Sequence, residues 1–441
     1  MSVRPFIFVV ALTCFSNALS AQGTASPGPV AIPTGITDPA AATRAWLDTI
    51  PPDQKARSDA YFEGGYWLIL WNFLLTAAIA LLILTTRLST RIRDVAARLT
   101  RFRPIQAGIY AIGFALITGI LSFPLNFYEG FMREHQYGMS NQSFGGWFGE
   151  WLKALAIAVV VLAISLAILY RIFQATERTW WIWGTIFGII LVTIGNIIAP
   201  VLIEPIFNKY TPLTDPKIRD PILALARANQ IPVTQVFVVD QSRQTKRVSA
   251  NVSGLARTTR IALNDNLLNQ CTLPEIREVM AHEMGHYVLN HGIKLTLYFG
   301  IFFLVGFALT RALFESAVRR WGDRWGVRGV ADPAGLPLLA LILSAFFFVL
   351  TPFSNTVTRA TEREADTFGI NTAREADGMA KVALKLGVYR KLDPGPLEEF
   401  IFFDHPSGRA RIRMAMDWKA AHLPAGDVDP GGPATGTPTQ P

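Results

Sequence analysis

The sequence predicts a mostly α-helical, polytopic membrane protein with a small α+β domain set between its membrane helices. Three observations predict it. Of 441 residues, 51% are hydrophobic and only 17% are charged, too apolar a balance for an ordinary soluble chain. Six stretches reach the roughly 20 apolar residues that a hydrocarbon core demands. One polar segment between them, 204–294, carries β-branched strand patterns instead.

The elements follow in chain order. Residues 1–21 carry Arg4, an apolar run from Phe6 to Phe15, and small residues ending at Ser20 and Ala21. That pattern is a secretory signal peptide, or else an uncleaved first membrane helix. Residues 22–60 are rich in Pro, Ala, Thr and Gly and read as a flexible segment. Four spans fall within 61–203, at 66–86, 107–128, 152–172 and 181–203. Two more fall within 295–354, at 295–314 and 334–354. Leu155 to Leu169 and Leu295 to Leu309 contain no charge at all. Within 204–294, Pro216 to Ile231 reads as an amphipathic helix, and Gln235–Val239 and Arg260–Leu263 read as strands. Residues 355–422 look largely helical, and the Pro/Gly/Thr-rich tail 423–441 reads as disordered.

The net charge is +8, but the basic residues cluster beside apolar stretches, which fits membrane topology and argues against a nucleic-acid partner. The loop after the first span holds Arg87, Arg91, Arg93, Arg98, Arg101 and Arg103. The loop after the third holds Arg171 and Arg178, and that after the fifth holds Arg311, Arg319, Arg320, Arg324 and Arg328. All three lie on one side, which the positive-inside rule makes cytoplasmic. The polar domain 204–294 and the C-terminal region then face the other side, although the C-terminal region is itself rich in arginine. Only Cys14 and Cys271 are present, so neither an internal disulfide nor a thiolate metal site is expected. Any metal must be held by histidine and carboxylate.

The strongest local signal is Ala281-His282-Glu283-Met284-Gly285-His286. Thr272 suits an N-cap and Pro274 a first helical turn, while Ile276, Val279, Met280 and Met284 give the helix an apolar side. Positions four apart share a helical face, so His282 and His286 point two imidazoles at one ion. Glu283 then lies beside the metal, placed to take a proton from its water. The bland alternative is a surface helix with two solvated histidines. Of six histidines in the chain, three fall between 282 and 291. His291, five residues past His286, lies off the ligand face and reads as structural. A catalytic metal needs a third protein ligand. The best candidates lie in Thr358-Arg359-Ala360-Thr361-Glu362-Arg363-Glu364-Ala365-Asp366. Glu362 and Asp366 share a face, so one would bind the metal and the other would fix a ligand imidazole. Glu364 projects elsewhere and is the weaker candidate, and an exposed charged helix is the alternative for the whole segment.

Together these residues resemble the membrane gluzincins of the CAAX prenyl protease type 1 family, with part of the pattern shared by the heat-shock protease HtpX. The resemblance runs from about residue 58 to 420. Phe123-Pro124-Leu125-Asn126-Phe127-Tyr128 with Glu134-His135-Gln136-Tyr137-Gly138 is similar to a family loop. Ile198-Ala199-Pro200 and Pro205 to Leu213 are similar to the lead into its zinc domain. Arg260 to Leu268 resembles the strand and turn before its zinc helix. The family's Ser-Arg-x-x-Glu-x-x-Ala-Asp falls on Thr358 to Asp366, which implies Glu362 as third ligand and Asp366 as its helper. His405-Pro406-Ser407 with Arg411-Ile412 matches a late motif whose histidine and arginine are implied to stabilise a developing oxyanion. By itself, His405 before a proline is more often a cap or loop contact.

The resemblance implies a zincin-like α+β catalytic domain holding one Zn2+ per chain, with a peptide or protein substrate that the family name extends to lipidated ones. An integral protein of a bacterial inner membrane, surrounded by membrane lipid, is expected, with its catalytic domain on the extracytoplasmic side. Two departures stand out. The family has Asn-Ala on its substrate strand, where this chain reads Ser249-Ala250-Asn251. Eukaryotic members turn the zinc domain to the cytosol, opposite to the side that arginine placement gives here. The competing classes are a quality-control zinc protease indifferent to prenylation, and a metal-bound membrane scaffold or transporter. Transporters need ionisable residues within their spans, and the cores of these six nearly lack them.

Overall fold

The protein is described by a computed structural model covering residues 38–254 and 259–422. The signal-like segment 1–21 and the tail 423–441 lie outside the described residues. The N-terminal half is built of α1 (Pro39–Leu47), α2 (Pro52–Thr85), α3 (Leu88–Leu99), α4 (Arg103–Phe127), α5 (Arg133–Gln136), α6 (Phe144–Ala175), α7 (Trp180–Ile198) and α8 (Glu204–Phe207). An α+β unit follows, comprising β1 (Tyr210–Pro212), α9 (Pro216–Ala228), β2 (Val236–Val239), β3 (Ala250–Ser253), β4 (Arg260–Asn264), α10 (Asp265–Gln270) and α11 (Leu273–Val288). The chain continues through α12 (His291–Trp325), α13 (Leu336–Ala373), α14 (Ala376–Leu386), α15 (Pro396–Phe402) and α16 (Gly408–His422).

Six helical stretches are long and apolar enough to cross a membrane, and they are the six that apolar length predicts. They are α2, α4 with its continuation through α5, α6, α7 with its continuation through α8, α12, and α13 with the turn before it. A π turn joins α4 to α5, and another joins α7 to α8. Each stretch outruns the apolar run that marks it, because the backbone stays internally hydrogen-bonded past the point where side chains turn polar. Tyr110, Tyr170, Phe173, Trp180, Phe307, Phe314 and Leu343 fill the centre of the bundle. Trp67, Ile120, Leu297 and Val349 point outward, as lipid-facing positions do.

The crossings alternate in direction. At one end Arg93 donates to Asp332 and to the Gly326 carbonyl, and the Ser89 hydroxyl donates to the Ala334 carbonyl. At the other end Asn141 donates to the Ser242 carbonyl, Arg243 pairs with Glu150, and the Ser58 hydroxyl donates to the Gly387 carbonyl. The α+β unit and the C-terminal helices therefore sit together, opposite the arginine-rich loops.

The sheet has the order β1-β2-β4-β3, with β2 and β4 parallel and both outer pairs antiparallel. The predicted strands at 235–239 and 260–263 fall within one residue of β2 and β4. Val236, Ile261 and Leu263 bury against Ile222 and Ala226 of α9 and against Ile276, Met280 and Met284 of α11.

Three features differ from the sequence reading. The segment expected to be flexible to residue 60 is helical from Pro39 to Leu47 and again from Pro52. Asp38 caps α1 by accepting from the Ala40 and Ala41 amides, and Ala42 and Trp46 bury against Ile412 and Met416 of α16. Composition alone hides that contact, because its partner is remote in the chain. The arginine-rich stretch after the first span, read as a loop, contains helix α3, whose Ile92 reaches the Gly113 backbone on α4. Finally, no break separates the sixth span from the region expected to begin at 355. Helix α13 runs unbroken from Leu336 to Ala373, through Pro352.

Candidate metal centre

Helix α11 begins in a capping box. Glu275 accepts from the backbone amide and the hydroxyl of Thr272, and Lys385 pairs with the same carboxylate at 2.8 Å. Ile276, Met280 and Met284, spaced four apart, anchor one face of the helix in the core of the α+β unit. His282 and His286 stand two residues on from Met280 and Met284, about 200° round the helix, and so face away from that core.

What they face is α13. The two helices approach closely because each offers a glycine at the contact. A Cβ on Gly285 would lie 3.0 Å from the Phe368 ring and 3.3 Å from the Ala365 Cα. A Cβ on Gly369 would lie 3.1 Å from the His282 amide nitrogen. That approach brings Glu362 and Asp366, one turn apart on α13, against the two imidazoles.

His282 Nε2 lies 3.4 Å from Glu362 Oε2, and His286 Nε2 lies 3.5 Å from Glu362 Oε1. The two histidine Nε2 atoms are 3.1 Å apart. One ligand atom from each of these three residues lies within 4.8 Å of the others, the grouping expected of a metal-binding triad. His282 Nδ1 meets Asp366 Oδ1 at 2.8 Å, and Arg411 Nε donates to Asp366 Oδ2 at 2.8 Å. A second Arg411 nitrogen donates to Glu362 Oε2 at 3.3 Å. His405 Nε2 lies 3.3 Å from the same Glu362 oxygen, and its Nδ1 meets Asp404 at 2.8 Å.

Burial opposes a positive charge on His282, but hydrogen bonds with Asp366 and Glu362 outweigh it and raise its pKa to about 10. Burial and the charge on His282 push His286 down to about 3. The two buried carboxylates thus face the Arg411 guanidinium on one side and the His282 imidazole on the other, and the imidazole side is where a divalent cation would sit. Two imidazole nitrogens and a carboxylate also form the donor set that suits zinc. Burial raises the Glu283 carboxyl, the condition for a base that accepts a proton readily. Despite its burial, Asp404 is held low by the His405 ring, which is itself lowered by burial.

The structure thus gathers His282, Glu283, His286, Glu362, Asp366, His405 and Arg411 in one place. It turns Arg411 toward the two carboxylates, where the sequence reading had it facing substrate. Two residues set aside in that reading also adjoin the centre. His291 is 1% exposed at its side chain, with Nδ1 2.9 Å from His286 Nδ1. Its Nε2 lies 3.1 Å from Glu364. Five-residue spacing excluded His291 only if one helix ran through it. Asn290, at φ 55 in the left-handed region, ends α11 and starts α12. Asparagine after an apolar helix is the signal that would have revealed the break.

Such a site at the mouth of a membrane-crossing helical bundle defines a class: an integral-membrane metalloprotease. Comparison with known proteins makes it specific. Residues 212–419 match Peptidase family M48, and residues 40–209 match the CAAX prenyl protease N-terminal family, described by five membrane helices. Over these two stretches the chain resembles peptidase family M48 and its CAAX prenyl protease 1 members. It is 28% identical over 366 residues to the uncharacterized metalloprotease YhfN of Bacillus subtilis, covering 82% of this chain and 86% of that one. It is 25% identical to CAAX prenyl protease 1 of Saccharomyces cerevisiae, covering 68% and 70%. The fold is that of S. mikatae Ste24p, whose crystal structure superposes with a TM-score of 0.69 at 22% identity, covering 84% of this chain and 90% of that one.

Proposed function

We propose that this protein is a zinc endopeptidase that holds one ion per chain on His282, His286 and Glu362 and cleaves peptide bonds with Glu283 as general base. The observation that carries the proposal is the convergence of those three ligand atoms beside Glu283, from chain positions 76 residues apart between His286 and Glu362.

When bound, zinc supplies a Lewis acid and a water acidified from about 15.7 towards about 7. Glu283, next to the residues that would hold the ion, would accept a proton from the attacking water and return it to the departing amine. Asp366 holds the His282 ring by its Nδ1, and Arg411 holds Asp366 and Glu362 together. His405, its Nδ1–H committed to Asp404, donates from Nε2 to the substrate carbonyl oxygen as the imidazolium, a form that burial opposes and the adjacent Glu362 and Asp404 carboxylates favour. Strand β3 pairs with β4 on one side only among the described residues and lies against α11. A peptide extended along its open edge, from Ser249 to Gly254, presents its scissile bond to Glu283.

The test is metal analysis of the purified protein together with Glu283→Gln. The variant is expected to keep its zinc and lose about 10²–10⁴-fold in turnover. Normal cleavage by that variant would refute the mechanism.

The names of the relatives support a lipidated peptide as substrate. Paired assays on a farnesylated peptide and on its unmodified twin decide the point, and equal rates would favour a general quality-control protease. Arginine placement at the far end of the bundle supports insertion in a bacterial inner membrane with the zinc site on the extracytoplasmic side.

A further inference from the structure

The two histidine ligands are supported unequally. His282 leans directly on a buried carboxylate, Asp366. His286 leans on another histidine. An imidazole that offers Nε2 to a metal carries its proton on Nδ1. His286 Nδ1 lies 2.9 Å from His291 Nδ1, so His286 donates and His291 accepts. His291 then bears its own proton on Nε2, 3.1 Å from Glu364 Oε2. Lys294 fixes that carboxylate by donating to it at 2.6 Å. The left-handed backbone at Asn290 is what swings His291 back beneath His286.

We propose that His291 is a positioning residue for the metal site: with Glu364 and Lys294 it forms a chain that holds His286 in the tautomer and orientation that bind the ion. A neutral ring at 291 is the connecting link, because it accepts at one nitrogen and donates at the other. Buried partners of this kind set a ligand's orientation and basicity, and losing them typically costs about 10–100-fold in metal affinity.

The inference rests on the zinc reading, and the experiment separates the two. Full-length protein in detergent is loaded with zinc, and its loss to a coloured chelator is timed. Wild type that takes up no zinc would sink the zinc reading itself, whereas a zinc-bound wild type leaves the chain alone on trial. His291→Leu is expected to release zinc at least about tenfold faster. His291→Asn, whose Oδ1 occupies the place of Nδ1, is expected to recover most of that loss. Glu364→Ala, altering a half-exposed side chain, is expected to give a smaller rise of about threefold. Folded His291→Leu that keeps its zinc within twofold of wild type overturns the proposal. So does failure of His291→Asn to recover, since a merely structural role would show that pattern. Should His291→Leu not fold, the decision passes to Glu364→Ala, where an unchanged release rate overturns it.

Discussion

His405 and Arg411 enter the site six residues apart on one late motif, yet the geometry gives them different work. Arg411 binds the two carboxylates that face the imidazoles, whereas His405 reaches Glu362 from a ring braced by Asp404. Arg411→Met therefore removes the guanidinium shared by two buried acids and is expected to weaken zinc affinity by about 10–100-fold. His405→Ala is expected to keep the ion and to lower kcat by about 10²–10³-fold. Zinc content and turnover measured side by side separate the two roles. Glu278 gives a pH signature. It is buried with Oε2 unpartnered among the described residues, and burial raises its pKa to about 8 from an ordinary 4.5. The folded protein thus holds this proton more tightly than the unfolded chain does, and stability falls as pH rises between those values. Glu278→Gln is expected to flatten that decline, read as the thermal midpoint against pH. The same decline in the variant would show that Glu278 is not its source. At this scale the sequence was most readable where spacing along one helix decides position, at His282, Glu283 and His286. Glu362 and Asp366 were legible as a pair, but their meeting with the histidines depends on tertiary contact. His291 was set aside as structural, and its contact with His286 was not legible because the backbone reversal at Asn290 interrupts helical periodicity.

Between elements, the contact that makes the site is α11 on α13, and two glycines permit it. Gly369→Ala would place a methyl 3.1 Å from the His282 backbone nitrogen, an atom that cannot rotate away. The helices are expected to part slightly, at a cost of about 1–3 kcal/mol and with weaker zinc binding. Gly195→Ala on α7 meets nothing within 4 Å and serves as the control, expected to be neutral or to stabilise by up to about 1 kcal/mol. Thermal midpoints with and without zinc check both. Long spans were legible as elements because hydrocarbon thickness acts on each one locally. Helix α1 and strand β1 are too short to declare themselves, and β3 was legible only through the resemblance; all three exist because α16 and the central strands give them a surface. Helix α3 was hidden by a different cause: its apolar stripe of Leu88, Ile92 and Ala96 is thin and set among three arginines.

Over the whole molecule, the arginine-rich turns and the catalytic groups occupy opposite ends of six alternating crossings. Membrane sidedness is thereby a single question with a single answer. Lys217→Cys on α9 and Arg98→Cys on α3 are both exposed and lie at the two ends. In a Cys14→Ser, Cys271→Ser background, a membrane-impermeant maleimide added to intact cells is expected to label Lys217→Cys alone. Labelling of Arg98→Cys instead would reverse the assignment.

The third ligand rides on the same unbroken helix as the final crossing, whereas both imidazoles are translated before the fifth crossing begins. In the proposed site the donor set is therefore complete only when the sixth crossing has been laid against the α+β unit, and cleavage is expected to begin only in the fully integrated chain.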